Sequence, residues 1–178
     1  MKKALRIHLI AISLLFLGCA HSTPVIYFSR PEVRKVSSEA FDAQIVALKL
    51  DNPFYVAFQL TVTNKSSQRL EIDWNRTRYL VGSNDYGLFV FQGIDPESVK
   101  SGIPKEPIPA GGTLSKQISP LKTLGFKSRH EVQKPGQSNF YPAILPNGIN
   151  AVALVVVQGA REWKEVLTVQ IGTREVQK

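Results

Sequence analysis

Between Phe54 and Asn64 the side chains alternate without a break. Phe54, Val56, Phe58, Leu60 and Val62 fall on one parity, and Tyr55, Ala57, Gln59, Thr61 and Thr63 on the other. A helix brings a side chain back to the same face every 3.6 residues and a strand every second residue, so this segment is predicted as a half-buried antiparallel strand. Asn64-Lys65-Ser66-Ser67-Gln68 is turn chemistry. Beyond it Leu70, Ile72 and Trp74 alternate with Glu71, Asp73 and Asn75, and the two runs together are predicted as a hairpin. No segment beyond the N-terminus offers apolar residues at three- and four-residue spacing over the length a helix needs.

The same period recurs along the chain. Ala43–Leu50 is predicted as a strand ended by Asp51-Asn52-Pro53. Thr77–Val81 is a second, turned by Gly82-Ser83-Asn84-Asp85 into a third at Gly87–Phe91. Pro96, Gly102, Pro104, Pro107, Pro109, Gly111 and Gly112 then mark a loop, with Thr113–Ser119 as a short strand after it. Pro and Gly crowd residues 120–148 as well, and that stretch is predicted as mostly irregular. Ala151–Val157 is nearly all apolar, as a central strand covered on both faces requires. Gln158-Gly159-Ala160-Arg161 turns it into Val166–Ile171, where Leu167, Val169 and Ile171 share a face. Many short strands separated by turn signals predict an all-β, antiparallel β-sandwich of about 7–9 strands over residues 25–178. The run LTVTNKSSQRLEIDWNRTRYL (Leu60 to Leu80), with Ile108-Pro109-Ala110-Gly111-Gly112, resembles the immunoglobulin-like domains of extracytoplasmic lipoproteins. That resemblance implies an architecture and leaves function open. With one Cys, the chain lacks the paired cysteines of antibody domains, though Trp74 remains a candidate core aromatic.

The N-terminus reads differently. Lys2, Lys3 and Arg6 precede an apolar run, Ile7–Leu17, interrupted by His8 and Ser13. Eleven residues fall well short of the ~20 that span a bilayer, so residues 1–18 are predicted as a cleaved secretory signal. Its end, Phe16-Leu17-Gly18-Cys19, resembles the lipobox of bacterial lipoproteins, although Phe16 and Leu17 depart from the commonest residues at their positions. The resemblance implies cleavage between Gly18 and Cys19 and lipidation of Cys19, with residues 19–24 as a short tether. It implies outer-membrane sorting too, because Ala20, not Asp, follows the Cys. Two or three acyl chains hold a protein almost irreversibly, since each buried methylene contributes about 0.8 kcal/mol. A strand starting at Val25 would keep the domain close to the lipid, and a linker running to Ser38 would let it roam.

Candidate chemistry is sparse. Beyond the signal there are two histidines, His21 in the tether and His130 beside Arg129, and the single thiol is assigned to lipid. Neither histidine has the orienting partner a nucleophile–base pair needs, so no catalytic residues and no enzyme activity are predicted. Asp95 with Glu97, and Asn84 with Asp85, are oxygen ligands in type. They sit beside Gly and Pro, where carboxylates cap turns, and no metal site or cofactor is predicted. Gly111-Gly112 follows Pro109-Ala110 and leads into a strand, unlike a phosphate-binding loop.

Losing Lys2, Lys3 and Arg6 with the signal lowers the formal charge from +8 to +5. The remaining excess gathers between residues 116 and 134, where Lys122, Lys127, Arg129 and Lys134 are candidate anion-binding residues with Lys116, opposed only by Glu131. Arg76 and Arg78 are predicted to share a strand face opposite Thr77 and Tyr79. The leading expectation is a membrane-anchored, non-catalytic envelope lipoprotein that binds an envelope protein. The alternative is a module that takes anionic lipid or glycan on the loop 116–134, and no nucleic-acid partner is expected.

Overall fold

The computed structural model describes residues 24–92, 94–126 and 140–176. Its strands are β1 Val25–Arg30, β2 Val33–Ser37, β3 Phe41–Leu48, β4 Ala57–Asn64, β5 Leu70–Ile72, β6 Arg78–Val81, β7 Asn84–Gly87 and β8 Phe89–Phe91. They continue as β9 Glu106–Ile108, β10 Thr113–Pro120, β11 Leu124–Phe126, β12 Phe140–Pro142, β13 Gly148–Gln158 and β14 Arg161–Glu175. Two 3-10 turns, Ser98–Ser101 and Leu121–Thr123, are the only helical pieces among the described residues. Residues 1–23, with the predicted signal, Gly18, Cys19 and most of the tether, lie outside the described residues.

The chain is an all-β sandwich, as the alternation predicted. One sheet runs β1-β14-β13-β5-β9, with β6 pairing β13 beside β5 and β7 pairing β6. The other runs β2-β3-β4-β10-β8, and β11 and β12 form a separate ribbon. Every pairing is antiparallel. Ile45, Phe58, Leu60 and Val62 from one sheet meet Ile72, Tyr79, Val152, Leu154, Leu167 and Val169 from the other in a single buried cluster. Burying side chains of this size removes apolar surface worth roughly 1.5–3 kcal/mol each from water, and this drives the two faces together.

The predicted hairpin from Phe54 to Asn75 does not form. β4 pairs with β3 and β10, whereas β5 lies in the opposite sheet between β13 and β9. Asn64, 1% exposed, explains the crossing. Its Nδ2 donates to the carbonyls of Gln68 (2.8 Å), Ile108 (3.0 Å) and Pro109 (2.9 Å), and its Oδ1 accepts from the N–H (2.9 Å) and hydroxyl (2.8 Å) of Ser66. Those bonds carry the chain out of one sheet and tie it to the turn that enters β10. Alternation specified which face of each strand is buried and left its neighbour undetermined. The ladder of β4 also starts at Ala57, because β3 stops at Leu48 and residues before Ala57 face no partner strand.

Smaller departures have the same origin. β7 occupies Asn84–Gly87, starting within the predicted turn and taking the first residue of the strand predicted at Gly87–Phe91, and pairs back on β6 before the chain crosses to β8. β9 forms within the proline-rich loop, tolerated because it is an edge strand bonded on one side, to β5. β11 and β12 lie in the stretch predicted as irregular. β1 begins at Val25, and its ladder on β14 runs from Val25↔Glu175 to Arg30↔Gln170. β13 is central, as its apolar run predicted.

Replacing Asn64 by Ala strips three buried or half-buried carbonyls of their donor. Chemical denaturation is expected to show a loss of roughly 2–4 kcal/mol. Asn64→Asp, which keeps the shape but turns a donor into an acceptor, is expected to be at least as damaging. Equal stability of either variant would remove this role.

Candidate functional site

A groove of about 860 Å³ opens beside edge strand β8. Its floor is the outward side of β10 at Ser115, Gln117 and Ser119, with Val90 on β8. One wall is Leu124, Phe140 and Pro142 of the β11–β12 ribbon, and the other is Phe91, Ile94 and Pro96. Tyr141 lies across Gly125, so the ribbon closes with an aromatic ring where any larger residue at 125 would stand. The groove is apolar along its walls and lined with hydroxyl and amide groups on its floor.

Lys116 stands at its rim. It alternates with Ser115 and Gln117 and so shares the inward side of β10 with Leu114 and Ile118. Its ammonium sits 2.6 Å from Glu106 Oε1 on β9 and 4.0 Å from the centre of the Phe91 ring. Glu106 Oε2 in turn accepts the Trp74 indole N–H at 2.9 Å, and Trp74 stacks obliquely on Phe91 at 4.7 Å. One carboxylate thus joins a lysine of one sheet to a tryptophan beside the other, at the open side of the sandwich. The sequence placed Lys116 with the cations of a loop. The apolar residues two positions either side of it were the signal that its stem points inward.

The other candidate anion-binding residues do not assemble with it. Lys122 lies over the Tyr86 ring (5.5 Å) and along Gly87, near the β6–β7 turn. Lys127, Arg129 and Lys134, with His130 and Glu131, lie outside the described residues, as do Cys19 and His21. Arg76 and Arg78 do face outward while Thr77 and Tyr79 are fully buried, but each is engaged. Arg76 holds Glu162 with its two terminal guanidinium nitrogens, and Arg78 Nε donates to Asp85 Oδ2 at 2.9 Å.

The carboxylates singled out as oxygen ligands serve turns. Asp95 Oδ1 accepts the Glu97 N–H at 3.0 Å, and Asp85 Oδ1 accepts the Gly87 N–H at 2.7 Å. Among the described residues no three His, Cys, Asp or Glu side chains gather as metal ligands. Asp73 Oδ1 is buried without a hydrogen-bond partner there, and Lys105 Nζ lies 4.0 Å from its Oδ2. Tyr79 is no acid–base candidate at ordinary pH: burial raises its phenol pKa, and its hydroxyl bonds Asn150 Oδ1.

Three exposed ion pairs bear on pH. Lys65 and Ser37 hydrogen bonds lower the pKa of Asp42, and Arg76 and Lys164 lower that of Glu162. At Asp85 burial opposes ionisation, but Arg78 and the Gly87 N–H outweigh it. No protein-family model matches the chain, and no curated protein matches it.

Two outcomes test these arrangements. Glu106→Ala leaves the indole N–H and the Lys116 ammonium without their shared acceptor. It is expected to cost about 1–3 kcal/mol and to shift tryptophan emission, read by denaturation and fluorescence. Carboxylates whose folded pKa is depressed stabilise the fold above their ordinary values, 3.8 for Asp and 4.5 for Glu, and lose that contribution as pH falls through the depressed ones. The thermal midpoint is therefore expected to be level from neutrality to about pH 5 and to drop below about pH 4, less steeply in Glu162→Gln. A midpoint that rises on acidification would contradict the pairing.

Proposed function

We propose that the protein is a membrane-anchored envelope lipoprotein whose β-sandwich works by contact: a non-catalytic module that binds another envelope protein. The basic n-region, the short apolar run and Phe16-Leu17-Gly18-Cys19 support the anchor, with Gly18–Cys19 the cleavage point and Cys19 the acylated residue. With Ala20 after the Cys, the outer membrane facing the periplasm is the proposed location.

The observation that carries the contact reading is the groove beside β8. It is bounded on one side by a short edge strand, has apolar walls, and has a floor of Ser and Gln side chains. Edge strands bind extended segments through backbone hydrogen bonds, and apolar walls with a few polar groups select their side chains. The polar groups of Asn64, Glu106 and Asp85 are spent on the fold itself. The groove is favoured over the basic loop as an anion site because Lys116 is paired with Glu106, and Lys122 lies over Tyr86.

A photo-crosslinking residue at Gln117 is expected to give a discrete protein adduct in intact cells, and one at Lys35 on the opposite edge of the same sheet is not. Cys19→Ala is expected to abolish incorporation of a palmitate analogue and release the chain from membranes. No adduct at Gln117 removes the groove reading, and undiminished labelling of Cys19→Ala removes the anchor.

A further inference from the structure

The two outward faces of the sandwich differ. On the five-stranded sheet the outward face across β3, β4 and β10 is mostly polar, with Asp42, Gln44, Gln59, Thr61, Thr63, Thr113, Ser115 and Gln117, and turns apolar at Val46, Leu48 and the paired Val33 toward the β2 edge. Its hydroxyls and amides bond one another across the strands, as between Thr63 and Thr113 (3.0 Å) and between Gln59 and Ser115 (3.0 Å). The middle of that face, on β4 and β10, is made for water. On the seven-stranded sheet Leu167, Val169 and Ile171 point inward, so the alternate positions of β14, and their partners on β1 and β13, point out. There Ile26, Ile149 and Val166 are 43%, 52% and 49% exposed. Phe28 covers Gly172, where a Cβ would fall 2.6 Å from its ring.

Cations surround these apolar side chains. Arg30 pairs across to Gln170 and Arg174 to Ile26, and the Arg30 guanidinium lies 5.1 Å from the Phe28 ring centre. Lys164, Arg76 and Arg78 stand further along. Glu162 holds both Arg76 and Lys164, Asp85 holds Arg78, and Glu71 of β5 holds Arg69, so the cations outside an ion pair among the described residues of this face are Arg30 and Arg174, beside Phe28 and Ile26. Exposed aliphatics flanked by arginines outside any ion pair suit a surface whose charge is negative and whose interior is hydrocarbon.

We infer that the outward face of β1, β14 and β13 lies against the anionic membrane to which the protein is tethered. The inference rests on the lipid-anchor reading and adds an orientation to it. The chain enters the fold at β1, the edge strand of this sheet, and Ala20–Pro24 extends at most about 17 Å from Cys19. In that reading the tether keeps the β1 edge of this sheet near the lipid, and the side chains of the outward face decide which way the sheet lies. With it down, the hydroxyl face and the groove beside β8 point away from the bilayer, toward a partner.

The test uses the full, lipidated chain in vesicles of phosphatidylglycerol and phosphatidylcholine. Spin labels are placed singly at Ile149→Cys, Val166→Cys and Thr61→Cys, with Cys19 blocked by its own acyl group. Labels at 149 and 166 are expected to be several-fold less accessible to a water-soluble relaxation agent than the label at 61. That protection is expected to fall in Arg30→Gln/Arg174→Gln and in high salt. Equal accessibility at all three positions, on protein that pellets with the vesicles, overturns the orientation and leaves the anchor standing. Protection that grows with protein density and ignores lipid charge means a second copy covers the face, which also overturns it. Failure of Cys19 to take up a palmitate analogue marks the anchor itself as wrong, and the inference falls with it.

Discussion

The hydrogen bond from the Tyr79 hydroxyl to Asn150 Oδ1 lies inside the core, both residues fully buried, and much of the fold is arranged around it. Asn150 spends its amide on the carbonyls of Pro146 (2.9 Å) and Gly148 (3.0 Å), which fixes the turn where β13 begins. β13 then pairs with β14 along its whole length and with β5 and β6 on the other side. Tyr79 packs its ring against Phe58 of the facing sheet and Phe89 of β8. A polar pair in an apolar interior is tolerated only when each partner satisfies the other. Here that requirement sets the register of the central strand and the spacing of the sheets together.

The other buried polar groups follow the same economy. Asn64 binds the two places where the chain passes between sheets, and Glu106 closes the open side by serving Trp74 and Lys116 at once. Thr77 is fully buried and its hydroxyl accepts the Val155 N–H at 3.1 Å, anchoring the turn after β5 to β13. These are junction residues: each holds a point where the backbone leaves a ladder and its polar groups would otherwise be stranded. The strands between them need only apolar side chains on the inner parity.

Function in such a body resides on what the fold does not consume. The sandwich interior is one buried apolar cluster, and the turn carboxylates Asp85 and Asp95 are held by backbone N–H groups. What is left is a groove at a short edge strand, and an outward sheet face that is apolar and cationic where its counterpart is hydroxylated. In the proposed reading, a lipid at Cys19 gives these two surfaces their separate tasks, one toward the bilayer and one away from it.

The alternation of Phe58, Leu60 and Val62, of Leu70 and Ile72, and of Leu167, Val169 and Ile171 made the strand class and the buried face of each strand legible without coordinates. A two-residue period has one physical cause in a folded chain. The apolar run of Ala151–Val157 likewise announced the central strand. Strand partners were not legible, because a strand with one buried face is equally content beside any neighbour that continues the sheet. Whether β4 turns back on β5 or the chain crosses to the other sheet depended on Asn64 meeting the carbonyls of Ile108 and Pro109, 44 and 45 residues away. The groove was invisible for the same reason: its walls come from β8, β10 and the β11–β12 ribbon. Sequence determined which side of each strand avoids water, since that is a local property of the side chains; tertiary structure alone decided which strands meet, since that is settled by polar groups finding partners across long stretches of chain.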